Sequence, residues 1–496
     1  MVTRLRARYV VGYADGDLVL YDDACVVYEG DTVLYVGPFF EGPVDEDHDL
    51  GHAIVLPGFV DLNALADNDH AILDHWQGDD RQDGLLWSED YFAHRHEVFG
   101  LDALLTQRRF ALAQLLLQGI TTAMPIAAES YRAWAETYDE MAGVAEIAGE
   151  LGLRTYLGPS YRGGVHVAGP GGSRRVAWDP EAGRRSLEEA VAFARDGGAG
   201  HGDLVRTALL PARVETLGPE LLRATRKAQE ELDVPVRFQA AQSLAELRLL
   251  RAEHGRHTLR LLDDEGLLEP RTLLAHAWAV NGHSQVGPGD GEDHVGLLAE
   301  RGVTVVYCPL ANQRYAMALE SFDGYRERGV NLALGTDTFP PDMVRTMESG
   351  SAQARTIARD RGAGQAADLL RAATLGGAAA LGRDDLGRLA PGARADITVV
   401  SFDDVRTGVF DDPVRGLVNH AHGGGVTRVV VAGRTVVEDG RIPGLDLDAL
   451  RAEAAAHLAS YRRSYSERDH RRRSPDDLFP SSLRRPSQVP DSTVVD

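Results

Sequence analysis

Eight short apolar runs recur through the middle of the chain: "AIVLPGFVDL", "GITTAMPIA", "GLRTYLGPSY", "DLVRTALLPA", "VPVRFQAAQ", "RTLLAHAW", "GVTVVYCPL" and "VNLALGTDT". Most are separated by helical stretches such as "LDALLTQRRFALAQLLLQ" and "EEAVAFARDG". Runs of this length bounded by turn residues read as buried strands, and a helix between successive strands returns the chain to the same end, so the strands pair in parallel. Eight such units predict an α/β chain built on a (β/α)8 barrel.

The two ends have a different texture. Residues 1–55 hold the β runs "RYVVGYA", "DLVLYDDACVVYEG" and "TVLYVGP", separated by Gly and Asp turns. After about residue 385 strand-like runs return in "ADITVVSFDD" and "VTRVVVAGRTVVEDGRI", with no barrel left to join. The expected organisation is therefore a barrel over 56–385 and a small β-sandwich assembled from 1–55 and 386–442. A helix over 443–466 follows. The tail 467–496, rich in Pro, Ser and charge, is expected to be disordered or to lie on a neighbouring subunit of a homodimer or larger homo-oligomer.

Composition narrows the partners. A net charge of -23 disfavours nucleic acid and anionic membrane surfaces, and no apolar run approaches the roughly 18 residues of a membrane span. The N-terminus alternates like a strand and shows no secretory signal pattern. Cys25 and Cys308 stand far apart in unrelated contexts, so no disulfide framework is expected and a reducing cytoplasm suits the chain. The partner expected is a small-molecule substrate. Lys227 is the single lysine, on an amphipathic stretch, which argues against Schiff-base chemistry and against a carboxylated lysine bridging two metals.

In order along the chain stand "LPGFVD", "QGITT", "VPVRFQAAQS", "LLAHAWAV", "CPLANQR" and "LALGTDT", followed by "LGRLAPGARADITVVSFDD" and "VVVAGRTVVEDGRI". Their shared order resembles the amidohydrolase superfamily, in particular its cytosine deaminase and chlorohydrolase-like branch. The resemblance implies hydrolysis of a non-peptide C–N bond. It also implies one metal held by an HxH pair on strand 1, a strand-5 histidine and a strand-8 aspartate, with a glutamate shuttling protons and a strand-6 histidine touching substrate or water.

Carried over position by position, the HxH pair becomes Asn63, Ala64 and Leu65, the strand-5 histidine becomes Gln239 and the glutamate becomes Gln242. His276 and Asp337 match the strand-6 histidine and strand-8 aspartate. A carboxamide is a poor ligand and a leucine is none, so the expectation is a site without metal or other cofactor. Such a loss is severe: a metal lowers the pKa of water from about 15.7 to about 7, worth on the order of 12 kcal/mol at about 1.36 kcal/mol per unit. A general base restores about 100- to 10,000-fold. The expected function is a metal-independent hydrolase of a small planar or cyclic nitrogen-containing molecule, with Asp337 as base and His276 as acid or electrophile. A lyase or isomerase using the same pair, and a catalytically silent binding protein, are the alternatives.

Asn63, Gln239 and Gln242 are expected to line the pocket. "GPSYRGGVHV" offers Tyr161, Arg162 and His166 on a Gly-rich rim loop, where Arg162 is suited to clamp a carboxylate. Trp278 offers a stacking face, with core packing the slightly favoured reading, and Asn312 offers either a hydrogen bond to substrate or a cap for the helix that follows. Asp67, Asp69 and His70 could form a displaced metal site, against the commoner reading of a solvated loop. His94 and His96 imitate a relocated HxH pair, but residues two apart do not face one way on a helix.

Overall fold

The computed structural model describes residues 1–73, 86–126, 131–169 and 173–483. At the N-terminus β1 (Val2–Ala14) pairs antiparallel with β2 (Asp17–Glu29), which pairs with β3 (Thr32–Gly37); β4 (Glu46–Asp49) and β5 (Ala53–Pro57) run parallel to β1. The run read as one strand, "AIVLPGFVDL", is split at Gly58. Its first half, β5, belongs to the small sheet and its second half, β6 (Phe59–Leu65), begins the barrel. A Cβ on Gly58 would lie 2.0 Å from Thr121 Oγ1, so a residue without one is required where the chain passes between the two sheets.

The barrel continues through β7 (Ile120–Ile126) and a third strand formed by β8 (Arg154–Leu157) with β9 (Ser160–Tyr161). The expected Gly-rich rim loop is a hairpin, β10 (Gly164–Ala168) with β11 (Arg174–Trp178). The fourth strand is β12 (Val205–Thr207) with β13 (Leu210–Pro211), and β14 (Val236–Ala240), β15 (Thr272–His276), β16 (Thr304–Tyr307) and β17 (Asn331–Leu334) complete the set in parallel register. A bridge between Leu209 and Val236 joins the two halves, and the Asp337 N–H donating to the Asn63 carbonyl closes the ring.

β18 (Ile397–Ser401) then returns to pair with β5, followed by β19 (Val426–Val431) and β20 (Arg434–Glu438), giving one eight-stranded sheet from both chain ends. Leu5, Val10, Val26, Val55, Leu389, Ile397 and Val399 form its buried core. Arg154 ties this sheet to the barrel through a two-pronged contact with Asp396 at 2.9 and 3.1 Å.

The helix Leu447–Arg468 packs over the loops that follow the first barrel strands. Asn68 Nδ2 donates to the Ala454 carbonyl at 2.9 Å, and the Tyr461 ring meets Tyr131 edge-on at 5.5 Å. Residues 467–483 are ordered and fold back on their own chain. Asp469 is buried beneath Arg473, and Phe479 packs on Tyr465 at 5.1 Å, because aromatic residues give this polar segment an apolar anchor. The rest of the tail, 484–496, lies outside the described residues. No described helix is long and apolar enough to cross a membrane.

Candidate active site

The C-terminal ends of β6 and β14–β17 converge where barrel enzymes place their chemistry. β15 ends in His276 and Ala277 with φ of 72° and 42°, and the turn after β17 holds Asp337 at φ 46°. Side chains rarely adopt this left-handed backbone, and three such residues at one rim mark strain kept where function resides. Gly335 permits the close packing: a Cβ there would stand 2.6 Å from Asn63 Cβ and 3.0 Å from Cys308 Sγ.

His276 Nε2 and Asp337 Oδ2 face each other at 3.5 Å, each residue 6% exposed. Nδ1 of His276 lies 2.9 Å from Asn312 Oδ1; with the amide in that orientation Nδ1–H donates to Asn312 and Nε2 carries its lone pair toward Asp337. Burial lowers the basicity of the imidazole, with Asp337 and Asn312 opposing. Gln239 Nε2 donates to Asn63 Oδ1 at 2.8 Å, and Asn63 Nδ2 donates to Cys308 Sγ at 3.5 Å. Burial, then Asp337 and Asp61, pushes the Cys308 thiol well up.

Beneath this layer lies Arg237, two residues before Gln239 on β14 and so on the same inward face. Its Nη1 donates to the carbonyls of Met124 at 2.9 Å and Leu62 at 3.3 Å. Burial pulls the guanidinium down to about 10, against Asp337 and Glu136. Cys308, Arg237 and Asp61 were missed in the sequence. A cysteine one residue past a barrel strand, and an arginine in register with Gln239, were signals that could have found the first two.

Asn63, Gln239, His276, Asn312 and Asp337 are thus brought together. Gln242 stands one turn further on, its Nε2 buried without a hydrogen-bond partner, as is Asn312 Nδ2. Trp278 offers no stacking face: its indole N–H donates to the Gln242 carbonyl at 2.7 Å and the ring is buried against His283. Tyr161 is also core, its hydroxyl 3.0 Å from Thr225 Oγ1, because strand alternation turns it toward the helix Gly218–Leu232. Arg162 is buried between the indoles of Trp87 and Trp134, at 5.3 and 5.4 Å. His166 pairs with buried Glu215 at 3.1 Å in a separate polar group; burial lowers the imidazole, and that partner holds the carboxyl down.

Asp67 and Asp69 are buried, not solvated, and Asp67 lies 3.7 Å from Arg108. Burial and Asp69 together push the Asp67 carboxyl up, so the two share negative charge poorly. His94 and His96 are side chains at the surface, His96 near Glu467 at 3.5 Å.

The metal positions implied by the resemblance do not fit a transition ion. Asn63 and Gln239 are engaged with each other, and Leu65 is apolar and buried. Among the described residues two other groups place three donor atoms within 4.8 Å: His276, Cys308 and Asp337, all buried, and Asp290 and Glu292 on a loop with buried His294 at the start of the helix that follows.

Comparison with known proteins agrees with this architecture. The model of the amidohydrolase family matches residues 108–436. The chain is 30% identical over 437 residues to a 5-methylthioadenosine/S-adenosylhomocysteine deaminase of Natronomonas pharaonis, covering 87% of this chain and 92% of that protein. It is 30% identical over 464 residues to an 8-oxoguanine deaminase of Pseudomonas aeruginosa, covering 90% and 96%. Of solved structures, an adenosine deaminase from Xanthomonas campestris with bound zinc superposes with a TM-score of 0.73 at 24% identity, covering 93% of this chain and 98% of that one. Atrazine chlorohydrolase from Arthrobacter aurescens complexed with zinc gives 0.75 at 21%, covering 92% and 100%. These two show the shared fold. With a family model spanning most of the barrel and relatives aligned nearly end to end, the chain belongs to the amidohydrolase family of hydrolases.

Proposed function

We propose that this hydrolase removes an amino group from a planar nitrogen heterocycle of the purine type at the barrel mouth. The observation that carries it is the buried His276–Asp337 pair, 3.5 Å apart at the ends of β15 and β17, with β16 between them. Relatives named for deaminating 5-methylthioadenosine and 8-oxoguanine support the substrate class. So do the two buried amide donors, Gln242 Nε2 and Asn312 Nδ2, whose desolvation is relieved by an acceptor on a ring nitrogen or carbonyl.

In this reading water adds to the ring carbon that bears the amino group. Asp337 takes one water proton and delivers it to the departing nitrogen, so that ammonia leaves; the remaining hydroxyl proton moves to a ring nitrogen and the ring carbonyl forms. His276 differs from the acid expected from sequence: with Nδ1–H given to Asn312, its Nε2 accepts a hydrogen bond and orients the water. The strand-1 and strand-5 histidines that the resemblance implies are replaced. Neither proton transfer above relies on those lost donors, and the solved relatives of the same fold were found with zinc.

The test is ammonia release from a panel of aminopurines and aminopyrimidines by the full chain. Asp337→Asn is expected to lower the rate by about 100- to 10,000-fold while the circular dichroism is unchanged. A variant as fast as wild type would remove Asp337 from the mechanism. A product of unchanged mass would point to an isomerase.

A further inference from the structure

The mouth contains a donor set that owes nothing to the lost histidines. We propose that His276, Cys308 and Asp337, at the ends of three successive strands, hold a divalent transition metal, with zinc the fitting ion. The site is re-ligated on strands 6 to 8 after strands 1 and 5 gave up their imidazoles.

The geometry is that of a three-donor site. Two donors each about 2.1 Å from a tetrahedral zinc stand about 3.4 Å apart, and His276 Nε2 lies 3.5 Å from Asp337 Oδ2. Cys308 Sγ completes a trio whose atoms all fall within 4.8 Å of one another. An imidazole, a thiolate and a carboxylate suit zinc, and three protein donors leave a fourth position for water, the pattern of catalytic sites.

The surroundings support the same assignment. Histidines that ligate metals donate their other ring N–H to an acceptor, and here Nδ1 has Asn312 Oδ1 at 2.9 Å. Asn63 Nδ2 points at the cysteine sulfur at 3.5 Å, and Gln239 fixes the Asn63 orientation at 2.8 Å. The carboxamides that replaced ligands on strands 1 and 5 thus serve as supports for a new set. The backbone N–H of Asp337, donating to the Asn63 carbonyl at 2.9 Å, holds the third ligand in place.

The inference rests on the hydrolase reading only for its catalytic meaning: there the ion would supply Lewis-acid activation of the attacking water, and Asp337 would keep its role as proton acceptor. Binding itself is tested with full-length protein stripped by a chelator and titrated with Co²⁺. About one equivalent is expected to bind, with a sulfur-to-cobalt charge-transfer band in the near ultraviolet. The band is expected to vanish in Cys308→Ser and to persist in Cys25→Ser. With only these two cysteines in the chain, the second variant assigns the sulfur even if the first fails to fold. No saturable uptake, a band lost in Cys25→Ser, or a band kept in folded Cys308→Ser would each overturn the site. Full ammonia release by the stripped chain overturns the ion's catalytic meaning and leaves the hydrolase reading intact. Cobalt binding that depends on Cys308, without ammonia release from any heterocycle, supports the site and removes the reading.

Discussion

Asp61 lies one step below the mouth with both carboxylate oxygens engaged. Thr336 donates from Oγ1 to Oδ2 at 2.6 Å and from its N–H to Oδ1 at 3.1 Å. Burial outweighs these bonds and pushes the carboxyl from the ordinary 3.8 up to about 6. Between those values the folded state binds more protons than the unfolded chain, so Asp61 subtracts stability as the pH rises through that window. The stability of wild type relative to Asp61→Asn is therefore expected to fall by up to about 3 kcal/mol between about pH 4 and about pH 6. Urea melts of both chains across that range check it, and a pH-independent difference would refute it. At this scale the sequence was informative about what had been lost, since Asn63, Leu65 and Gln239 stand where imidazoles are implied. It was silent about Cys308, whose meaning depends on which other strand ends it meets.

Secondary elements were legible to differing degrees. The helix Leu447–Arg468 was expected over 443–466, but its place was not. It covers the strand-1 and strand-2 loops through Tyr461, 1% exposed, and through Arg468, whose guanidinium lies 5.1 Å from the Trp87 ring. Tyr461→Ala is expected to cost about 3–5 kcal/mol, as for a large aromatic removed from a core. It is also expected to make the chain after residue 446 sensitive to protease, and wild-type resistance in that variant would mean the helix docks by other contacts. The split of one apolar run into β5 and β6 could not be read either. Both halves are equally apolar, and only the partners, β18 for one and β7 for the other, separate them.

The two units of the molecule are joined by a buried ion pair. Arg154 on β8 has a fully buried side chain, Asp396 is 3% exposed, and Asp203 takes a second prong of the guanidinium at 2.7 Å. Removing Asp396 leaves the guanidinium with Asp203 alone, so Asp396→Ala is expected to cost up to about 3 kcal/mol in denaturant unfolding. Replacing both partners, as in Arg154→Met with Asp396→Leu, is expected to recover much of that loss; if the double variant falls as far as the sum of the singles, the pair is not acting as a unit. By itself the sequence determined the architecture, because strand and helix periodicity, segment order and the return of β texture at the C-terminus are local signals that add up along the chain. It also determined that the usual metal donors are gone. Tertiary structure alone decided which groups meet at the mouth. Barrel closure brings residues from five strands, far apart in sequence, within a few ångströms, and the hydrogen bonds they then make set the contact of His276 with Asn312, the pairing of Asn63 with Gln239 and the company of Cys308.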